Sequence, residues 1–309
     1  MLERLGGLID WAAVGHLLRG LHASAAGAPS YPPLSMLKAL LLQQWYGLSD
    51  PGLEEALSDR LSFRRFCGLP LDADVPDHST ISRFRNALRQ DDLDQKIFGE
   101  INRQIDRRGL ILRQGTLIDA SLIPAAVNPP KPPKEPPPAG PDGKPASLLV
   151  RSKRDPEAEW TKKGGQRYFG YKVHVAVDKL SGIIRRALVT GAASSDTGQG
   201  DALICGDEAA VYADAAYHTH RREKDLRDRG IEPHLMRRGN KHHALEQAER
   251  DRNDAIGKKR APVEQVFART KTTYRWRRAR CLGLARNTTH FVLLCTAMNL
   301  KRMIVQCPG

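Results

Sequence analysis

The hydrophobic period of this chain changes once, at Gly115, and that change limits the fold more than any other feature. Before it, from Tyr31 to Asp106, apolar residues recur at the spacing of one helix face. Polar breaks such as Ser49-Asp50-Pro51 and Pro76-Asp77-His78 divide the run into segments. Leu37, Leu40, Leu41 and Gln44 share a face of an early helix, and Leu53, Leu57 and Leu61 continue the pattern in the next. Ser79 is placed to cap a helix over Thr80 to Leu88, which would project Arg83, Arg85 and Arg89 outward. After Gly115 the segments Thr116 to Ala120, Phe169 to Asp178, Ile183 to Gly191 and Ala210 to Asp214 are short, rich in β-branched or aromatic residues and bounded by turn signals, which predicts strands. Helical stretches are expected at His218 to Arg229, Val263 to Tyr274 and Asn287 to Val305. The pattern predicts an all-α N-terminal domain over residues 1–110 and an α/β domain, a mixed sheet flanked by helices, over 111–309.

A proline-rich run interrupts the second half. Asn128 to Lys144 reads NPPKPPKEPPPAGPDGK. Its prolines cannot donate to a sheet ladder and favour extended polyproline geometry, so a surface insertion is expected at about residues 128–150. It reads as a flexible loop, with a docking ligand as the alternative.

Lys and Arg number 49 against 35 Asp and Glu, a formal net charge of +14. A balance of that sign and size favours a polyanionic partner, nucleic acid first, over an acidic or neutral one. Cys67, Cys205, Cys281, Cys295 and Cys307 stand far apart, with no CxxC pair and no zinc-finger spacing, as in a reducing compartment. The opening residues do not join a basic start to an apolar stretch and a cleavage site. The longest apolar run, Phe291 to Met298, is too short to span a bilayer. A cytoplasmic, nucleoid-associated protein without a membrane partner is expected.

Three acidic residues sit where apolar or structured segments have little use for a charge. Asp119 ends the run GTLIDAS, Asp214 ends the strand in AAVYADAAY, and Glu264 follows Pro262 in RAPVEQVF, in the first turn of a helix that Pro262 can start. Carboxylates on two strands and a helix offer what hard divalent cations need: rigid oxygen ligands with open positions for water and phosphate. Each also has a plain structural use, as a turn former or as a complement to the helix dipole.

Strict alternation in GYKVHVAVD puts Tyr171, Val173, Val175 and Val177 on one face and Lys172, His174, Ala176 and Asp178 on the other. His174 and Asp178 then flank the metal site or the DNA path, or form a partly solvated polar face. Asp196 in ASSD supports the site from behind or caps the helix that follows. No Asp or Glu follows Glu264, whereas Arg269, Lys271, Arg275, Arg277, Arg278, Arg280, Arg286, Lys301 and Arg302 do, a uniform sign that reads as a surface for a DNA backbone. Tyr274 and Trp276 interleave with these arginines and serve either base stacking or the core. The helix bearing Arg83, Arg85 and Arg89 reads as a recognition helix, a phosphate contact or a solvated face.

Read together, LIDAS, YFGYKVHVAVD, TGAASSD, VYADAAY and RAPVEQVF resemble DDE transposases of bacterial insertion sequences, in the group named for insertion sequence 5. The N-terminal stretch YPPLSMLKALLLQQWYGLSDPGLEEALSDRLSFRRFCGL followed by VPDHSTISRFRNAL is similar to the helical domain of that group. The resemblance covers most of Tyr31 to Met303 and implies an RNase H-like core. In that core Asp119, Asp214 and Glu264 would be catalytic and bind two Mg²⁺ ions, with Mn²⁺ able to substitute. Arg260 matches the arginine of a tyrosine-arginine-glutamate signature, whose tyrosine position holds Gly257 here. The implied activity is divalent-metal-dependent cleavage at element ends and strand transfer into target DNA. The partners would be double-stranded DNA, as terminal inverted repeats and as target, and a second copy of the chain on DNA. An RNase H-like nuclease that does not join strands, or an inactive DNA-binding remnant, is the alternative.

Overall fold

The computed structural model describes residues 1–22, 31–131, 152–239 and 244–307; most of the proline-rich stretch lies outside them. The helical region holds α1 (Leu2–Leu8), α2 (Trp11–Leu17), α3 (Pro33–Tyr46), α4 (Asp50–Asp59), α5 (Leu61–Cys67), α6 (His78–Ala87) and α7 (Leu93–Arg107). The sheet strands are β1 (Thr116–Pro124), β2 (Glu159–Lys163), β3 (Gln166–Asp178), β4 (Ile184–Gly191), β5 (Ala210–Ala213) and β6 (Glu232–Leu235). Helix α8 (Asp196–Leu203) joins β4 to β5 and α9 (His220–Asp228) joins β5 to β6, and the long helices α10 (Gln247–Thr272) and α11 (Leu284–Gln306) follow.

Side-chain caps start several helices: Asp10 accepts from Ala12 and Ala13 at α2, Ser49 from Gly52 at α4 and Asp77 from Thr80 at α6. The cap of α6 is therefore Asp77 and not Ser79, whose hydroxyl instead donates to Asp77. The expected face of α3 (Leu37, Leu40, Leu41, Gln44) is buried, but so is nearly all of the helix, because α2, α4, α5, α6 and α11 surround it. Leu53 and Leu57 are buried, whereas Leu61 is exposed: the chain breaks at an extended Arg60 and restarts as α5, so the four-residue spacing ends there.

Strand β3 organises the sheet. It pairs antiparallel with β1 along one edge and with β2 and β4 along the other, while β5 and β6 extend the sheet parallel to β1. A helical N-terminal region followed by a mixed, curled sheet with helices on it is the RNase H-like arrangement. One face of the sheet, with Leu117, Val173, Val175 and Tyr212, shares a continuous core with α10, α11 and the N-terminal helices. The other face, with Ile118, Ala176, Val211 and Ala213, packs under Leu203 and Leu226 of α8 and α9.

Helix α10 departs from the sequence reading. It begins fifteen residues before Pro262, at a capping box between Glu246 and Glu249, and runs through the proline. Pro262 is exposed there; it removes the hydrogen bond its own N–H would have made to the Lys258 carbonyl and sets its ring against that carbonyl, a local cost the rest of the helix bears. Glu264 therefore sits in the body of a 26-residue helix and not in a first turn.

Gly170 marks the closest backbone crossing, where β2 hands over to β4 along β3. A Cβ at Gly170 would lie 2.2 Å from the Ile123 carbonyl oxygen and 2.6 Å from the Ala125 nitrogen, both backbone atoms at the end of the neighbouring strand β1. Gly170→Ala is expected to cost about 3 kcal/mol, read as a lower urea midpoint. Gly257→Ala, where nothing lies within 4 Å, should gain up to about 1 kcal/mol as a helix-interior control.

Candidate active site

Strands β1 and β5 run parallel with Thr116 beside Val211, Leu117 beside Tyr212 and Ile118 beside Ala213. Continuing that register places Asp119 abreast of Asp214. Adjacent strands stand roughly 4.8 Å apart, and side chains in register leave on the same side. That side is given by alternation: Leu117 and Tyr212, two residues earlier on each strand, lie in the core beneath α10. The two aspartates thus emerge together toward α10, whose Arg260 guanidinium lies 3.3 Å from Asp119.

Burial holds the Asp119 carboxyl above the ordinary carboxylate range, and the negative charge of Asp214 pushes the same way. Arg260, the Ala120 N–H and Lys163 oppose this. Such a pair, crowded and partly desolvated, is stabilised by any cation placed between its members. Asp214 also accepts the Ala216 N–H at 2.9 Å, which fixes its side chain in the turn after β5.

Glu264 lies one turn beyond Arg260 on α10 and is exposed. Lys271, further along, reaches Ser121 of β1 with its Nζ 2.9 Å from Oγ. Residues at separations of four and eleven share a helix face, so Arg260, Glu264 and Lys271 form one stripe lying along β1. Gly257, one turn before Arg260, faces open space. Lys163 at the end of β2 was not legible as a site residue, yet its charge acts on both Asp119 and Lys271.

The donor chemistry of Asp119, Asp214 and Glu264 fits a hard divalent cation, because all three offer carboxylate oxygens and two of them crowd each other. Among the described residues, the group that already lies within ligand reach is a different one: His218, His220 and Glu223, whose candidate ligand atoms fall within 4.8 Å of one another. His218 stands 3.0 Å from Glu223, and the other oxygen of Glu223 meets Arg227 and Arg237. Those arginines already neutralise Glu223, so this group is held together as an ion-pair cluster. Its sequence signal is HTHRRE, directly after the Asp214 turn.

His174 lies on the opposite face of the sheet from Asp119, fully buried, with Nδ1 3.2 Å from the Tyr217 hydroxyl and Nε2 3.0 Å from Thr190 Oγ1. Burial and the charges of Asp196, Asp119 and Asp214 raise the Tyr217 hydroxyl above its ordinary value. His174 therefore lies buried on the face of the sheet away from Asp119 and does not flank it. Lys172 bonds Asp196 at 2.8 Å and the Ser194 carbonyl at 2.8 Å, tying β3 to the start of α8. Asp196 is the first residue of that helix, one place inside the cap. Asp178 departs from expectation: one of its oxygens accepts the Leu112 and Arg113 N–H groups and the other holds the Leu180–Ser181 turn, at the far end of β3. It anchors a loop and does not flank the carboxylates.

Burial pushes His174 down to about 4 from an ordinary 6.5, so its proton is bound more readily in the unfolded chain. Stability from keeping it neutral is complete above pH 6.5 and is lost as pH falls toward 4. Between pH 7 and pH 4 the wild type should lose about 3 kcal/mol more than His174→Gln, measured by urea titration at both pH values.

The basic residues divide into two sets. Arg83, Arg89, Arg269, Arg275, Arg277, Arg278 and Arg280 are exposed. Arg85 turns inward instead, to Asp50 and Gln43, contrary to the expectation of three outward arginines, because Asp50 at the start of α4 faces it. Arg277, Arg278 and Arg280 bond the carbonyls of Lys271, Ala125 and Leu48. Among the described residues, no basic side chain after Glu264 is paired with a carboxylate, so this charge is available to an external anion. Tyr274 and Trp276 are buried, Trp276 against Phe291 and His290, and belong to the core rather than to a stacking platform. No described helix is long and apolar enough to cross a membrane.

Residues 1–87 match a family described as a transposase domain (DUF772), and residues 111–300 match one described as a transposase DDE domain. No solved structure matches the chain. The second match spans well over half of the sequence and contains both strands that carry the paired aspartates and the helix that carries Arg260 and Glu264. The chain belongs to the DDE transposases.

Proposed function

We propose that this transposase cuts DNA at the ends of its own element with water and directs the freed 3′ hydroxyl at target DNA, using Asp119, Asp214 and Glu264 as ligands for two Mg²⁺ ions. The observation that supports the reading is the β1/β5 register, which, continued one residue past Ile118 and Ala213, sets Asp119 beside Asp214 where β5 ends. When bound, the divalent metal supplies an activated oxygen nucleophile and stabilises the leaving oxygen. The chain supplies the rest. Asp119 and Asp214 would orient the ligand oxygens from a rigid sheet, and Glu264 would offer the third carboxylate from the stripe of α10 that also carries Arg260 and Lys271. Arg260 balances the carboxylate charge, and Lys271 and Lys163 draw the phosphodiester toward the pair by charge. No covalent protein intermediate is involved, so no serine or tyrosine nucleophile is required.

The partners in this reading are terminal inverted repeats, target DNA and a second copy of the chain on DNA, since two ends must be held at once. Arg83 on α6, Arg89 just beyond it and the exposed arginines after Glu264 serve as backbone contacts. The test is to incubate the protein with Mg²⁺ or Mn²⁺ and DNA carrying the repeats that flank its gene, then map the products. Ends cut and joined to target DNA are expected. Cut ends without joined products would reduce the activity to that of a nuclease, and no cutting would make the chain a DNA-binding remnant.

A further inference from the structure

The start of α4, α6 and the segment leading into α11 line a cavity of about 410 Å³ that neither Asp119 nor Asp214 borders. Four arginines line it, Arg85, Arg89, Arg280 and Arg286, against one acid, Asp50. Asp50 is already engaged by Arg85, so three guanidinium groups face the space without a carboxylate partner. Although the Arg280 side chain reaches solvent, its packing into this wall and the nearby charge of Arg85 push it down from its ordinary value.

His290 forms part of the wall and is only 3% exposed, and its Nε2 has no hydrogen-bond partner. Arg85 Nε is likewise buried and unpartnered. Burial beside Arg280 and Arg85 pushes His290 down to about 3, so it is a neutral imidazole able to present an N–H. Unmet buried donors beside crowded guanidinium groups are what a multiply charged oxyanion satisfies, since each guanidinium offers a fork of donors.

We propose that this cavity seats a phosphate group of a DNA strand, gripped by Arg89, Arg280 and Arg286 with His290 behind it. The site bridges the two regions matched to transposase families, since Arg85 and Arg89 come from α6 and just beyond it while Arg280, Arg286 and His290 come from the C-terminal part. It continues a basic track that starts at Lys271 on Ser121 and passes Arg278 at Ala125 and Arg280 at Leu48. The choice of DNA as the source rests on the proposed function, whereas the phosphate site itself does not. A strand laid along this track has one phosphate pinned at the joint of the two regions and another near the aspartates.

Arg89 and Arg286 form no side-chain hydrogen bond among the described residues, so Arg89→Gln/Arg286→Gln removes the grip without breaking the Arg85–Asp50 pair. Two probes are used: inorganic phosphate, read as a melting-temperature rise over chloride at equal ionic strength, and a short duplex, read as affinity against salt. The wild type should melt higher in phosphate and the variant should not. The variant should bind duplex on the order of tenfold more weakly, with a log–log salt slope shallower by about 2. Arg89→Lys/Arg286→Lys should recover most of both readouts, separating lost charge from lost fold. Loss of the phosphate effect with unchanged duplex binding would keep the site and overturn DNA as its source. A phosphate effect undiminished in the glutamine variant would overturn the site. Neither readout involves cutting, so failure here is distinct from failure of the catalytic reading.

Discussion

Asp214→Asn is expected to cut DNA about a thousandfold more slowly than the wild type while binding it with nearly the same affinity. The substitution keeps the shape of the side chain and its bond to the Ala216 N–H but removes the charge that crowds Asp119. Losing one carboxylate ligand removes several kcal/mol of charge stabilisation in the transition state, and about 4 kcal/mol corresponds to a thousandfold. Asp119→Asn should behave alike, and so should Glu264→Gln. The last is the sharper comparison, because Glu264 is exposed in the body of α10 and has no packing role that its loss could disturb. Cleavage rates under saturating Mg²⁺, with duplex affinity measured in parallel, check all three. Undiminished cutting by Asp214→Asn would remove it from the ligand set.

Asn299→Leu is expected to destabilise the chain by about 4 kcal/mol, a large share of a typical domain's stability. Asn299 is 1% exposed on α11, where its Oδ1 accepts the Ile184 N–H at 2.8 Å and its Nδ2 donates to Asn102 of α7 and to the Ile184 carbonyl. One side chain thus clamps the helical region to strand β4 through the middle of a shared core. Leucine fills the space but leaves a buried N–H and a buried amide oxygen without partners. The Ile184 carbonyl keeps its bond from Asn102 Nδ2, which limits the loss. Urea unfolding followed by tryptophan fluorescence measures it, with Trp276 and Trp45 reporting from that core.

Strands β1, β3, β4 and β5 are legible because their runs are β-branched or aromatic and end in turn signals. Strands β2 and β6 are not, since EWTKK is polar and EPHL is four residues long with a proline, both tolerated only at sheet edges. The start of α10 is hidden because a polar first half conceals its period and Pro262 reads as a beginning, while the glutamate pair that caps it carries no Ser or Thr signal. Asp119 and Asp214 can be picked out as acids in apolar strand runs, although β1 continues past Asp119 to Pro124, and their adjacency comes from parallel pairing across some ninety residues of chain, which no local pattern encodes. Arg85 and Asp178 show the same limit from the other side. Both look available in the sequence, and both are taken up by partners, Asp50 and the Leu112–Arg113 backbone, that only the fold brings near.

The central claim is that a divalent ion sits among Asp119, Asp214 and Glu264, and it is tested most directly by substituting Fe²⁺ for Mg²⁺ and mapping the hydroxyl-radical cuts in the polypeptide. Three sets of fragments are predicted, ending near residues 119, 214 and 264, and all three should disappear in Asp214→Asn. Cuts confined to the stretch from His218 to Glu223, with the chain intact around Asp119 and Glu264, would contradict the account and move the metal to the histidine cluster beside it.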